Sequence, residues 1–139
     1  MNTLDKKIVF TNGCFDLLHQ GHIDLLFKAS KYGDKLIVGL NSDDSVKLLK
    51  GESRPVENQN KRRNKLLQLN YIDDVHIFNE ETPLNLIHLI RPDILVKGGD
   101  YNINDIVGAK DVVKWGGRVI VIPLTPGYST TLSIKNQNK

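Results

Sequence analysis

The chain lacks the features that would place it in a membrane or outside the cell. It has one cysteine, Cys14, among 139 residues, which excludes an internal disulfide and is typical of a reducing cytoplasm. No apolar run approaches the length that crosses a bilayer, and the first residues lack the apolar core of a secretory signal. We therefore expect a cytoplasmic protein with no membrane partner.

Dense basic patches, prolines and low-complexity tracts are also scarce. The longest basic cluster is Lys-Arg-Arg at 61–63, and aromatic residues are only 6% of the chain, so the net charge of +3 does not indicate a nucleic-acid surface. Small anionic substrates account for this mild charge, and we expect no nucleic-acid partner. With 5 prolines and no linker-like stretch, the 139 residues predict a single domain, residues 1–139.

Short apolar runs alternate with helical patterns along the whole chain. We predict strands at 8–11, 35–41, 74–78, 94–96 and 118–123. We predict helices at about 22–31, 42–49, 61–69, 82–90 and from 105 or 108 to 115, with a turn at 12–13. Five such repeats predict an α/β protein, a Rossmann-like doubly wound five-stranded parallel sheet with helices on both faces. Ligands of such sheets bind beyond the carboxyl ends of the strands, where the polar loops converge.

His19 and His22 stand three residues apart where the first helix should begin. A helix start presents unpaired N–H groups and a partial positive charge, so it suits a phosphate, and histidines add further donors. Gly21 between them would allow close approach of a ligand. A zinc site needs three or four ligands, and the remaining histidines, His76 and His88, lie in a predicted strand and a predicted helix. The pattern therefore favours a nucleotide site over a metal site.

Several motifs, taken together in this order, identify a family resemblance. Gly13-Cys-Phe-Asp16, His19-x-Gly-His22 and Tyr128-Ser-Thr-Thr131 resemble the nucleotidyltransferase superfamily that includes the cytidylyltransferases. Further segments resemble the adenylyltransferase half of ADP-heptose synthases; they are Leu40-Asn-Ser-Asp43, Lys50-Gly51, Arg54-Pro-Val56, Arg62 with Asp73, Arg91-Pro-Asp93 and Val96-Lys-Gly-Gly-Asp-Tyr101. This resemblance covers nearly the whole chain.

The resemblance implies an activity and its partners. It implies transfer of AMP from ATP, with Mg²⁺ as counter-ion, to D-glycero-β-D-manno-heptose 1-phosphate, giving ADP-heptose and pyrophosphate for lipopolysaccharide or surface-glycan synthesis. It also implies a homodimer, and a free-standing enzyme supplied by a separate sugar kinase. Two alternatives stay open, a CTP-dependent cytidylyltransferase acting on glycerol 3-phosphate or another polyol phosphate, and a nucleotide-binding module without catalysis.

The resemblance also implies roles for individual residues. An attacking phosphate oxygen is already anionic, so catalysis needs alignment and charge neutralisation rather than a general base. The expected catalytic residues are His19, His22 and Lys50. The expected nucleotide-binding residues are Gly13, Cys14, Phe15, Gly21, Arg62, Asp100, Ser129, Thr130 and Thr131. Asp16 and Asn41 are expected to bind the acceptor or hold its loop, and we expect no metal held by protein ligands alone.

Overall fold

The computed structural model describes residues 6–99 and 101–123. The strands are β1 (Ile8–Gly13), β2 (Lys35–Asn41), β3 (Asp74–Phe78), β4 (Ile94–Gly98) and β5 (Arg118–Ile122). The helices are α1 (Gln20–Ser30), α2 (Asp43–Lys50), α3 (Gln59–Leu67), α4 (Leu84–Ile90) and α5 (Ala109–Lys114), with a short 3₁₀ helix at Ile103–Asp105. None of the helices within the described ranges is long and apolar enough to cross a membrane.

The five strands form one parallel sheet in the order β3-β2-β1-β4-β5. β1 lies in the centre, paired with β2 over its whole length and with β4 through Val9 and Phe10. The chain moves outward from β1 to β3 and then crosses to β4 on the other side. The order therefore reverses between β1 and β4, which is where ligands bind in sheets of this kind.

Alternating side chains of the strands pack against helices on both faces of the sheet. Val9 of β1 belongs to a buried cluster with residues of α1 and α3, whereas its neighbour Phe10 belongs to a second cluster with residues of α4 and α5. Val9 and Phe10 are both fully buried. The predicted fold class, with a doubly wound sheet covered on both sides, is confirmed.

The five strands and five helices predicted between residues 8 and 123 all exist, but several begin or end elsewhere. β1 continues through the predicted turn to Gly13, because Asn12 and Gly13 pair with β2. α1 begins two residues earlier than predicted because His19 caps it, and α3 begins earlier because the Asn58 side chain accepts from the Lys61 N–H. The helix predicted to end at residue 115 is divided into the 3₁₀ helix and α5. α5 begins directly after Gly108, whose backbone has the left-handed conformation.

Candidate active site

The turn between β1 and α1 is held in an unusual backbone conformation. Phe15 and Leu17 have φ angles of 46° and 58°, in the left-handed region that non-glycine residues seldom occupy. Each such residue costs on the order of 1–2 kcal/mol, so the surrounding packing must hold the turn in place. The Phe15 ring folds back towards Gly13, where an added Cβ would lie 3.0 Å from its Cε2 atom. Strain of this kind is common at functional sites.

His19 and His22 form a capping box at the start of α1. The Nδ1 atom of His19 accepts from the Gly21 N–H at 3.1 Å, and the His19 N–H donates to Nδ1 of His22 at 3.3 Å. The two rings stack with their centroids 3.8 Å apart and their planes 21° apart. Serine and glutamate usually supply these bonds at a helix start. Here the two histidines satisfy the helix N–H groups themselves.

These bonds determine which ring nitrogen carries the proton. An Nδ1 atom that accepts a hydrogen bond is unprotonated, so each neutral ring carries its proton on Nε2. Burial, followed by the charges of His19 and Lys50, lowers the pKa of His22 to about 4, and burial lowers the pKa of His19. Both rings are therefore neutral hydrogen-bond donors near pH 7 in the absence of a ligand. A bound polyphosphate would favour their protonated forms.

Lys50 ends α2 beside this pair and lines a neighbouring cavity together with Cys14. Its ammonium group is exposed, yet close enough to influence the pKa of both His22 and Cys14. Burial is the largest influence on the Cys14 thiol and raises its pKa, so Cys14 is a protonated thiol at neutral pH rather than a nucleophile. The structure therefore brings His19, His22, Lys50 and Cys14 into one region.

Arg62 is the clearest departure from the expected site. Its side chain is fully buried, and its guanidinium donates to three carbonyl oxygens, those of Glu57, Cys14 and Asn41, at 2.7–2.9 Å. It also pairs with the Asp43 carboxylate at 2.8 Å. The predicted direct contact of Arg62 with the triphosphate therefore needs correction, because these partners hold the guanidinium inside the protein. Arg62 instead ties the ends of β1 and β2 to the start of α2.

Asp16 and Asn41 likewise hold loops in place. The buried Asp16 carboxylate accepts from the Arg54 side chain at 2.9 Å and from the Val56 and Glu57 N–H groups at 2.8 and 3.0 Å. Asp16 therefore holds the 51–57 loop in place, which is one of its two expected roles, and its contact with the acceptor stays a prediction. Asn41 is also buried, and its amide donates to the Ser45 hydroxyl at 3.0 Å, but Asn41 lines the cavity and can contact a ligand there.

The remaining predicted residues differ in their surroundings. Gly13 and Cys14 line the cavity, and Gly21 is buried in the first turn of α1. The Phe15 side chain does not line the cavity; it packs in the core and meets the His22 ring edge-on at 5.3 Å, and its expected role in nucleotide binding stays a prediction. Four further predicted residues lie outside the described part of the chain; they are Asp100, Ser129, Thr130 and Thr131.

A cavity of about 450 Å³ opens at the switch point between β1 and β4, within the range of small-molecule sites. Its wall includes Lys97, for which no role was expected from the sequence. Lys97 directly follows an apolar stretch of β4, Ile94 to Val96, and burial lowers the pKa of its ammonium group. A lysine placed where a buried strand ends was the signal in the sequence that could have identified it.

The described residues offer no protein-only metal centre. No group of three or more His, Cys, Asp or Glu side chains within 6–99 and 101–123 could hold a metal ion. A magnesium ion that accompanies a nucleoside triphosphate takes its ligands mainly from phosphate oxygens and water. The two histidines, with both Nδ1 atoms engaged by backbone N–H groups, are suited to donating hydrogen bonds rather than to binding a metal.

The chain is similar to known proteins along most of its length. The cytidylyltransferase-like family matches residues 10–136. "Bifunctional protein HldE" of Koribacter versatilis is 53% identical over 131 residues, which are 94% of this chain and 27% of that protein. The protein of the same name from Geobacter sulfurreducens is 53% identical over 126 residues, 91% of this chain and 26% of its own length. The chain thus spans about a quarter of the length of these curated relatives.

A solved structure shares the fold over most of both chains. The lipopolysaccharide core biosynthesis protein from Thermoplasma volcanium superposes with a TM-score of 0.68 and 27% identity, covering 86% of this chain and 97% of its own. The family match extends from β1 beyond the last described residue, so it includes the histidine pair, the strained turn and the cavity. The chain belongs to the cytidylyltransferase-like family.

Proposed function

We propose that this chain is a nucleotidyltransferase that transfers AMP from ATP to a sugar 1-phosphate. The proposed acceptor is D-glycero-β-D-manno-heptose 1-phosphate, and the products are ADP-heptose and pyrophosphate. The observation that carries this proposal is the stacked pair His19 and His22, whose backbone bonds place both ring protons on Nε2 at a helix start. Such a pair is suited to phosphate oxygens.

The reaction needs no general base. An anionic oxygen of the acceptor phosphate attacks the α-phosphorus of ATP and forms a new P–O bond. The bond from the α-phosphorus to the α–β bridging oxygen breaks, and its electron pair leaves with pyrophosphate. His19 and His22 donate to the α- and β-phosphate oxygens as their charge grows, and the Lys50 ammonium neutralises the same region. Mg²⁺ bound by the triphosphate supplies further charge neutralisation.

Buried polar residues hold the segments that carry His19, His22 and Lys50 in place. Arg62 fixes the Cys14 and Asn41 carbonyl groups, and Asp16 fixes the 51–57 loop that follows Lys50. These contacts hold the α2 end and the β1–α1 turn in one arrangement without taking part in the bond changes. Asp100, Ser129, Thr130 and Thr131 complete the nucleotide site in this proposal, by resemblance to the family motifs.

The choice of ATP and heptose phosphate as the substrates rests on similarity to known proteins. The motifs shared with ADP-heptose synthases and the similarity to the lipopolysaccharide core biosynthesis protein of Thermoplasma volcanium support a sugar phosphate over a polyol phosphate. A sugar kinase must supply the 1-phosphate. We also propose a homodimer, from the same resemblance, which sedimentation of the purified chain tests directly.

A pyrophosphate-release assay tests the function. ATP and CTP are each combined with heptose 1-phosphate and with glycerol 3-phosphate, with and without Mg²⁺. We expect turnover with ATP, heptose phosphate and Mg²⁺, and its loss in the His22→Asn variant prepared in parallel, which controls for contaminating enzymes. Turnover only with CTP and glycerol 3-phosphate would overturn the proposal in favour of a cytidylyltransferase, and nucleotide binding without any turnover would favour a non-catalytic module.

A further inference from the structure

A second groove lies on the protein surface beside α5, away from the proposed active site. It has a volume of about 340 Å³. Its lining comes from the 3₁₀ helix and α5; the residues are Ile103, Asn104, Ala109, Lys110, Val113 and Lys114. None of these residues lines the cavity at the switch point. The groove is therefore a separate surface feature, which the proposed reaction does not use.

Apolar side chains in this groove are left uncovered by the fold. Ile103 is 47% exposed and Val113 is 56% exposed, whereas Ile106 and Val112 of the same elements and their connection are buried in the core. Single exposed apolar side chains are common on protein surfaces, but two that line one concave strip indicate a contact surface. Covering them would bury apolar area that the folded chain by itself leaves in water.

Two lysines of α5 line the same groove. Lys110 and Lys114 are four residues apart, so they are neighbours on the helix, where like charges destabilise it by about 0.2–0.5 kcal/mol. Both are exposed, and no ion pair among residues 6–99 and 101–123 includes either of them. Asp111, which follows Lys110 in the chain, pairs instead with His88 of α4 at 3.1 Å. The groove therefore carries positive charge that these ion pairs do not balance.

This charge indicates which molecule can cover the groove. In a two-fold contact the same surface meets itself, so a second copy would bring the lysines of both copies together. The sequence after residue 123 contains Lys135 and Lys139 and no acidic residue, so it offers no opposite charge either. Helices that bind membranes insert an apolar face into the lipid, whereas this apolar strip is recessed in a groove. An acidic protein segment with apolar side chains meets all of these conditions.

The groove and the cavity at the switch point share the 3₁₀ helix. Ile103 lines the groove, whereas Asp105, at the other end of this helix, lines the cavity. The helix is held by local bonds, because Asn102 accepts from the Asn104 N–H at 3.0 Å and from the Asp105 N–H at 2.9 Å. Its own residues are exposed, and Ile106, which follows it, is buried. A molecule that contacts Ile103 would therefore restrict a wall of the cavity.

We propose that this groove is a docking surface for a segment of another protein that presents carboxylates beside apolar side chains. The apolar side chains cover Ile103 and Val113, and the carboxylates pair with Lys110 and Lys114. Occupation of the groove restricts the 3₁₀ helix and with it one wall of the cavity. The inference goes beyond the proposed reaction and does not depend on it, because it concerns a second protein at a different surface.

A library of short random peptides displayed on phage tests the docking surface. The library is selected on the wild-type protein and counter-selected on Val113→Glu, which places a negative charge among the apolar side chains. We expect the selected peptides to be rich in Asp and Glu next to Leu, Ile or Phe, and to bind Val113→Glu at least about 10-fold more weakly in fluorescence anisotropy. Leu89→Glu is the matched control, because Leu89 is 79% exposed on α4 and lies outside the groove.

Replacing both lysines by methionine, Lys110→Met with Lys114→Met, tests the charge. Exposed ion pairs contribute about 0.2–1 kcal/mol each, so the double variant should bind the selected peptides about 3- to 10-fold more weakly. Lys28→Met, on the exposed side of α1, is the control for loss of a positive charge. Selected peptides that lack acidic residues, or that bind the wild type and these groove variants equally, would overturn the proposal.

Other occupants of the groove give different results. A dimer that Val113→Glu dissociates in sedimentation would assign the groove to a second copy. Binding to vesicles of anionic phospholipid that Val113→Glu abolishes would assign it to a membrane surface. A library that yields no peptide depleted by the counter-selection would show that the groove does not accept a protein segment. Each of these results overturns the proposal.

Hydrogen exchange tests the link between the groove and the cavity. With a selected peptide bound, the amides of Asn104, Asp105 and Ile106 should exchange more slowly than in the free protein, because their local bonds open less often. Unchanged exchange at these amides while the peptide is bound would overturn the link. Thermal unfolding verifies that each variant is folded, and the double lysine variant carries the test if Val113→Glu is not.

Discussion

Replacing His22 by asparagine and, separately, by glutamine distinguishes the two roles of its ring nitrogens. Nδ1 accepts from the His19 N–H at the helix start, and Nε2 carries the proton proposed to meet the phosphates. The amide of asparagine reaches the Nδ1 position, and that of glutamine reaches the Nε2 position. Because the His22 pKa is about 4, the ring is neutral at pH 7, and neither exchange changes the charge of the free protein.

The two variants should fail in different ways. Loss of one donor to a developing oxyanion costs about 2.7–4 kcal/mol, so His22→Asn should lower kcat by about 10²- to 10³-fold. Loss of a helix cap costs about 0.5–2 kcal/mol, and the 3.3 Å bond to Nδ1 places His22→Gln at the low end of that range. Both variants lose the ring stack on His19 and the edge contact with Phe15, so this common loss cancels when they are compared.

Steady-state kinetics and urea unfolding measure the two effects. We expect His22→Asn to be the more stable and less active variant, and His22→Gln to be the more active and less stable one. His88→Ala is the control, because His88 lies on α4 with more than half of its side chain exposed, 54%. Equal kcat values for the two His22 variants would refute the proposal that the Nε2–H group stabilises the transition state.

Three further predictions concern charge and stability. Arg62→Met leaves three buried carbonyl oxygens without their donor, so it should lower the free energy of unfolding by about 3 kcal/mol or more, and a urea midpoint equal to the wild type would contradict this. The pKa of His22 falls from 6.5 in the unfolded chain to about 4 in the folded one, so the unfolded state takes up the proton first as pH falls. The free energy of unfolding should therefore drop by about 2 kcal/mol between pH 6.5 and 4, after allowance for partial exposure of the ring. His22→Asn should lack this drop in urea titrations. Curves of unfolding free energy against pH that run parallel for the wild type and the variant would contradict this prediction. Lys50→Met should lower kcat by about 10-fold or more at saturating substrates with little change in thermal stability, because the side chain is exposed, and a change confined to stability would exclude a role in catalysis.

The sheet could be predicted from the sequence because each strand is a short apolar run. β2 and β3 agree with their predicted bounds at both ends. The runs in β1, β2 and β4 are largely buried between the helices on the two faces of the sheet, so burial indicates where these strands lie. The helix starts were less predictable, because the N-cap of α1 is a histidine rather than one of the residues that usually cap helices.

Arg62 is buried although it belongs to a cluster of three basic residues. A Lys-Arg-Arg cluster is typical of a solvated surface, and two of its three residues are not buried. Arg62, however, lies four residues before Leu66, on the face of α3 predicted to be buried. Helical periodicity therefore indicates that Arg62 lies on the buried face of α3, although it does not show that carbonyl groups near the ends of β1 and β2 accept from the guanidinium.

The central position of β1 has a consequence for how the protein opens. An amide of this strand exchanges its hydrogen with solvent only if a neighbouring strand separates, and Val9 and Phe10 have partners on both sides. We therefore expect their amides to be among the slowest to exchange, approaching the rate set by global unfolding. The strained turn is attached to this strand and the histidine pair follows it, so we expect fluctuations that fray the outer strands β3 and β5 to leave the groups proposed to contact phosphate aligned.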